Sequence, residues 1–156
     1  MNEQVPFELL NLQETPEDRN LAFHPSCFDE YLGQSQIKEK LKVYTKASKL
    51  RGEALDHLLL FGPPGLGKTT LAKVMAKELD APIKITSAPV LERSGDLVAM
   101  LSNLGEREIL FIDEIHRLPK IVEEILYGAM EGFCVDMIVG QGASAQSIRL
   151  PIQPFT

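Results

Sequence analysis

One short segment, residues 62–69, constrains the fold of this chain more than any other feature. Its sequence, GPPGLGKT, matches the phosphate-binding pattern GxxxxGK[ST] at every fixed position. An apolar run at 57–61 precedes it, and residues 68–79 follow with apolar side chains at helical spacing. A strand, a glycine loop and a helix in this order predict a nucleoside-triphosphate site. A simple glycine-rich turn is the weaker alternative, because the Lys-Thr pair lies at the required offset.

Each position of this loop has a chemical role. The glycines allow a tight turn whose backbone N–H groups point at phosphate oxygens, and the start of the following helix favours the same anion. Lys68 is predicted to contact the β- and γ-phosphates, Thr69 to bind Mg²⁺, and Thr70 to reach the α-phosphate. The glycines are Gly62, Gly65 and Gly67.

A pair of carboxylates follows a second apolar run. Residues 109–112 are Ile-Leu-Phe-Ile, and Asp113 and Glu114 come directly after them. A buried strand that ends in Asp113 places this carboxylate beside the loop, where it can hold Mg²⁺. Glu114 is then a candidate to orient or deprotonate the attacking water. The pair favours an ATPase over a simple GTPase or a small-molecule kinase; the alternative is an acidic cap on the next turn.

The hydrophobic pattern predicts an α/β fold with a parallel sheet. After the last helix, two apolar segments flank a glycine-containing connection at 140–146, which predicts a β-hairpin. Helices are predicted at about 35–51, 68–79, 96–104 and 119–132, strands at 57–61, 83–86 and 108–112, and hairpin strands at 133–139 and 147–150.

Composition excludes several other classes. The net charge of −6 argues against a broad nucleic-acid surface, and no apolar stretch approaches the length of a membrane span. Cys27 and Cys134 are expected to be reduced thiols in a cytoplasmic protein. His57 and His116 have no ligand partners at a recognised spacing and are expected to be surface or structural residues. Residues 1–22 are expected to form a flexible tail.

Several segments together resemble the RuvB family, the AAA+ ATPase motors of bacterial Holliday-junction branch migration. They are FDEYLGQ at 28–34, RGEALDH at 51–57, the phosphate loop, and LFIDEIHRL at 110–118. The resemblance covers residues 23–156. Another AAA+ member, such as a clamp loader, shares the two ATP motifs but lacks the RGEALDH segment.

The resemblance implies a partial AAA+ large subdomain over 23–156, with ATP and Mg²⁺ as cofactors, in a hexameric DNA helicase of recombination and repair. It assigns Asp113 and Glu114 to the catalytic acidic pair and the loop residues to nucleotide binding. It implies that the hairpin near 133–150 docks RuvA, although pairing within the core is an equal alternative. Further nucleotide contacts are implied at Phe23, His24, Glu131, Gly132 and Phe133.

Three departures from the family pattern qualify these expectations. His24 stands where the family usually has Arg, and Gln146 stands where the hairpin usually carries a basic residue. The sequence stops before the expected sensor strand, arginine finger, lid and winged-helix domain. We therefore expect little ATP hydrolysis by residues 1–156 alone and a gap in the sheet. The alternative is a truncated paralogue that acts only as a nucleotide- or RuvA-binding module.

Overall fold

The computed structural model describes residues 25–140 and 145–156, so the predicted tail at 1–22 lies outside the described residues. Within this part of the chain, helices and strands alternate as the sequence predicts. None of the described helices is long and apolar enough to cross a membrane. In chain order the elements are α1 (Ser35–Arg51), α2 (Lys68–Leu79), β1 (Ile83–Ser87), α3 (Ser94–Ser102), β2 (Ile109–Asp113), α4 (Lys120–Gly132), β3 (Cys134–Val139) and β4 (Gln146–Pro151).

Strand β2 is the centre of the parallel sheet. On one side it pairs in parallel with β1, from Ile83 opposite Ile109 to Ser87 opposite Asp113. On the other side, Leu110 N donates to Thr156 O (2.9 Å) and Thr156 N donates to Glu108 O (3.1 Å). In a parallel pair, a residue on one strand bonds to the two residues on either side of the residue opposite it. Thr156 does this with Glu108 and Leu110. The prediction of an α/β fold with a parallel sheet is confirmed.

The prediction of a buried, paired strand at 57–61 is wrong. Residues 53–61 have no regular secondary structure, and Leu59 and Phe61 are 74% and 97% exposed. A strand needs a hydrogen-bonded neighbour, and the segment beside this side of β2 is 154–156. The Thr156 hydroxyl donates to Leu55 O (2.9 Å), just before the unpaired residues. The gap expected in the sheet lies here, among the described residues.

The predicted hairpin is present. Strands β3 and β4 pair antiparallel, from Cys134 opposite Pro151 to Val139 opposite Gln146. The tip at 141–144 lies outside the described residues. Val135 is buried in the core, whereas Ile138 is 75% exposed, so the hairpin both completes the core and presents apolar side chains to solvent.

Two apolar clusters hold the described elements together. The first joins α3, α4, β3 and the segment 152–155, and the second joins α1, α2 and the turn before α1. The second cluster contacts the phosphate loop through Tyr31, whose hydroxyl donates to the carbonyl of Leu66 in the loop. Its buried members are Phe28, Tyr31, Leu41, Leu55, Leu71, Val74 and Met75.

Two details of the helices differ from the prediction. Ile37, Tyr44 and Leu50 fall at helical spacing in α1, which predicts that they face the core, but all three are exposed. The buried residues are Leu41, which lies at the same spacing, and Thr45 and Ser48, whose hydroxyls donate to backbone carbonyls. Helix α3 begins two residues earlier than predicted, at Ser94, because the Asp96 carboxylate accepts a hydrogen bond from Arg93 N (3.0 Å) and caps its first turn.

Candidate functional site

The phosphate loop connects residues 53–61, which have no regular secondary structure, to helix α2. Gly65 and Gly67 have φ values of 80° and 77°, in the left-handed region that glycine adopts without strain. Gly67 is the N-cap of α2, and its carbonyl accepts a hydrogen bond from Leu71 N at 2.8 Å. The loop residues 63–66 are exposed to solvent. Free N–H groups at the start of a helix attract anions, so this geometry suits bound phosphate.

Lys68 lies across the loop that carries it. Its ammonium donates to Gly62 O at 3.0 Å and to Pro63 O at 2.9 Å. These carbonyls hold the charge close to the backbone N–H groups of the loop. A triphosphate would replace neutral carbonyl acceptors with charged oxygens, which form stronger hydrogen bonds with an ammonium group. Thr69 and Thr70 follow in the first turn of α2 and are half-buried.

Asp113 ends β2 at the carboxyl edge of the sheet. The strand packs against α2, the helix that starts at the loop. Asp113 is half-buried, and its Oδ1 accepts a hydrogen bond from Glu114 N at 2.9 Å. The Thr69 hydroxyl and the Asp113 carboxylate carry oxygen atoms of the kind that Mg²⁺ prefers as ligands. Among the described residues no cluster of three or more His, Cys, Asp or Glu could form an all-protein metal cage.

Glu114 has an unusual backbone and a defined partner. Its φ of 51° is left-handed, a conformation that costs a residue with a side chain roughly 1 kcal/mol or more. Its carboxylate accepts a hydrogen bond from Arg117 Nη1 at 2.9 Å, and both side chains are about half exposed. Sequence reasoning missed Arg117, although its position three residues after Glu114 permits this contact.

The residues at the end of α4 lie at the other end of β2. Phe133 follows the helix, its ring packs on His57 and Phe155, and its carbonyl accepts a hydrogen bond from Ile152 N (2.8 Å). The segment with Phe155 is bonded to the start of β2, whereas Asp113 is its last residue. At a rise of about 3.3 Å per residue, the two ends of β2 are on the order of 13 Å apart.

The structure therefore brings together only part of the predicted site. The Asp113–Glu114 pair lies at the carboxyl edge of the sheet, and the loop leads into α2, which packs against the same strand. Residues 131–133 lie near the opposite edge, and Phe23 and His24 lie outside the described residues.

A second residue that sequence reasoning missed is Tyr31, which donates to Leu66 O inside the loop at 3.1 Å. A single tyrosine far from the loop in sequence carries no local signal of this contact.

Comparison with known proteins identifies the family. Residues 23–156 match the family described as "Holliday junction DNA helicase RuvB P-loop domain". The chain belongs to the RuvB family. It is 61% identical over 139 residues to the Holliday junction branch migration complex subunit RuvB of Oenococcus oeni, covering 89% of this chain and 41% of the relative. The RuvB subunit of Campylobacter hominis is 56% identical over 140 residues, which cover 90% of this chain and 41% of that protein.

Solved structures of RuvB from Thermotoga maritima share the fold. One mutant superimposes with a TM-score of 0.75 at 50% identity, over 85% of this chain and 40% of that structure. The structure described as the RuvB Holliday junction branch migration motor gives 0.71 at 49% identity, over 85% of this chain and 39% of that structure. This RuvB-family chain thus spans about two fifths of the length of the relatives that it matches.

Proposed function

We propose that this chain is the ATP-binding portion of a RuvB-type motor that drives branch migration of Holliday-junction DNA in recombination and repair. The observation that carries the proposal is the intact phosphate loop, with Lys68 held across it, at the start of a helix that packs against the strand ending in Asp113. The relatives that match this chain are named as subunits of the branch migration complex, which supports the same motor.

In this proposal each group of the site has one task. The loop N–H groups and Lys68 bind the phosphates, Thr69 and Asp113 bind Mg²⁺, and Thr70 reaches the α-phosphate. Mg²⁺ held by these residues would neutralise charge that develops on the phosphate oxygens during hydrolysis. Glu114 accepts a proton from the attacking water. For that step the Glu114 carboxylate must leave Arg117, which is an inexpensive change because exposed ion pairs contribute only about 0.2–1 kcal/mol.

Glu131, Gly132 and Phe133 are proposed nucleotide contacts that lie near the opposite edge of the sheet from Asp113, as described above. We propose that they approach the nucleotide of an adjacent copy in a ring, which fits the hexamer expected of the family. Phe23 and His24 remain proposed contacts to the nucleotide of their own chain.

The hairpin is the proposed docking site for a RuvA-type partner. Three of its apolar side chains are exposed, at 75% for Ile138, 47% for Val139 and 40% for Ile148. Interfaces bury such side chains, whereas solvent-facing strand positions are more often polar. Val135 is buried, so at this position the hairpin packs in the core, which was the alternative to docking.

A chimaera tests the motor function directly. Residues 1–156 are joined to the remaining length of the Oenococcus oeni relative, and movement of a synthetic four-way junction is followed with ATP, Mg²⁺ and RuvA. We expect ATP-dependent branch migration that is lost in the Glu114→Gln chimaera. A folded chimaera that binds ATP but does not move the junction would instead favour the binding-module alternative.

A further inference from the structure

Tyr31 connects the turn before α1 to the phosphate loop. The side chain is 6% exposed and belongs to the apolar cluster beneath α2. Its hydroxyl donates a hydrogen bond to the carbonyl of Leu66, which lies between two loop glycines, at 3.1 Å. The Tyr31 carbonyl accepts a hydrogen bond from Lys38 Nζ at 2.7 Å, so the first turn of α1 also holds the tyrosine backbone.

The tyrosine ring also lies directly against the next residue of the loop. A Cβ atom on Gly67 would come within 3.0 Å of the Tyr31 hydroxyl oxygen and within 3.5 and 3.6 Å of two ring carbons. Glycine is required here on two grounds, the contact with Tyr31 and a φ of 77°. The tyrosine therefore flanks one side of the peptide that joins residues 66 and 67.

The geometry of that peptide gives the contact a consequence for binding. No described peptide bond is cis, and in a planar trans peptide the C=O and the N–H point in opposite directions. The Leu66 carbonyl points toward Tyr31, so the N–H of Gly67 points away from the buried side of the loop. That N–H is one of the free donors at the start of α2.

We propose that Tyr31 is a positioning residue for nucleotide binding: its hydroxyl fixes the 66–67 peptide so that Gly67 N–H faces the phosphates. This inference rests on the proposed ATP site. Without the hydrogen bond the peptide is free to rotate, and the donor must be reoriented each time that a phosphate binds. Preorganised donors bind more tightly because this cost has already been met in the free protein.

The test compares Tyr31→Phe with Tyr44→Phe in the 156-residue chain. Both substitutions remove one hydroxyl, and Tyr44 is a half-exposed residue of α1. Affinities for ATP, inorganic tripolyphosphate and adenosine are measured with Mg²⁺ below the onset of unfolding seen by circular dichroism. For Tyr31→Phe we expect ATP and tripolyphosphate to bind about two- to ten-fold more weakly, the effect of one hydrogen bond, with adenosine unchanged. Tyr44→Phe should match the wild type throughout.

The amide resonance of Gly67 provides a second readout. In nitrogen-15 spectra, tripolyphosphate should shift this resonance strongly in the wild type and less in Tyr31→Phe. Equal tripolyphosphate affinity in the two proteins, or an equal loss of adenosine affinity, would overturn the inference and leave Tyr31 as a packing residue. If the wild type binds neither ATP nor tripolyphosphate, it is the proposed nucleotide site that fails.

Discussion

The unpaired segment at 57–61 predicts that this chain self-associates. Leu59 and Phe61 are 74% and 97% exposed and are two residues apart, the spacing that puts side chains on one side of a strand. Burying one such side chain contributes about 1.5–3 kcal/mol, or roughly 3–6 kcal/mol for both. The backbone groups of residues 57–61, which have no regular secondary structure, can also pair with another copy.

The perturbation is the double substitution Leu59→Lys and Phe61→Lys. Because about 1.4 kcal/mol corresponds to a tenfold change in affinity, losing this burial should weaken self-association by at least about a hundred-fold. Sedimentation velocity over a range of protein concentrations measures the change.

A matched control separates this segment from general surface hydrophobicity. Val43→Lys with Leu50→Lys adds the same charge at two exposed apolar residues of α1, whose backbone is already hydrogen-bonded. We expect the control to associate like the wild type. If both double variants become monomeric to the same extent, or if the first associates unchanged, the argument from the unpaired segment is refuted.

Two further predictions concern ion pairs. In the chimaera, Arg117→Ala should raise ATP hydrolysis no more than about five-fold, because the half-exposed pair with Glu114 contributes at most about 1 kcal/mol. A hundred-fold rise would show that Arg117 strongly inhibits Glu114. In the hairpin, Arg149 donates two hydrogen bonds to Asp136 (2.8 and 2.9 Å) and lowers the pKa of that carboxyl from its ordinary 3.8. The stabilisation by this pair is therefore present above pH 3.8 and is lost as the pH falls through the lowered pKa. Arg149→Ala should return the pKa of Asp136 toward 3.8 in a carbon-13 titration, and an unchanged pKa would contradict the assigned cause.

Local pattern was enough to predict most of the site. The phosphate loop, the strand that ends in Asp113 and the order of helices and strands after residue 62 all follow from short-range rules of spacing and turn chemistry. The family resemblance extended these features to the RuvB fold, and the matching family and structures confirm it.

The larger errors depend on contacts outside the predicted element, whereas the start of α3 depends on the local cap by Asp96. Whether 57–61 forms a strand depends on a neighbour from elsewhere in the chain, and no local apolar run specifies that neighbour. The inner face of α1 depends on what packs there, and Ser48 is buried because its hydroxyl can donate to Glu53 O at 2.7 Å. The contact between Tyr31 and Leu66 likewise spans 35 positions of the sequence.

The central claim is that the loop at 62–69 binds a nucleoside triphosphate through Lys68. Titration calorimetry of ATP with Mg²⁺ into the 156-residue chain tests it most directly, with Lys68→Ala and Lys73→Ala compared. Lys73 lies on the exposed side of the same helix and serves as the matched control. We predict one ATP bound per chain, an affinity at least about a hundred-fold lower for Lys68→Ala because charge-assisted hydrogen bonds are lost, and no change for Lys73→Ala. Equal ATP affinity in the wild type and in Lys68→Ala would contradict the account.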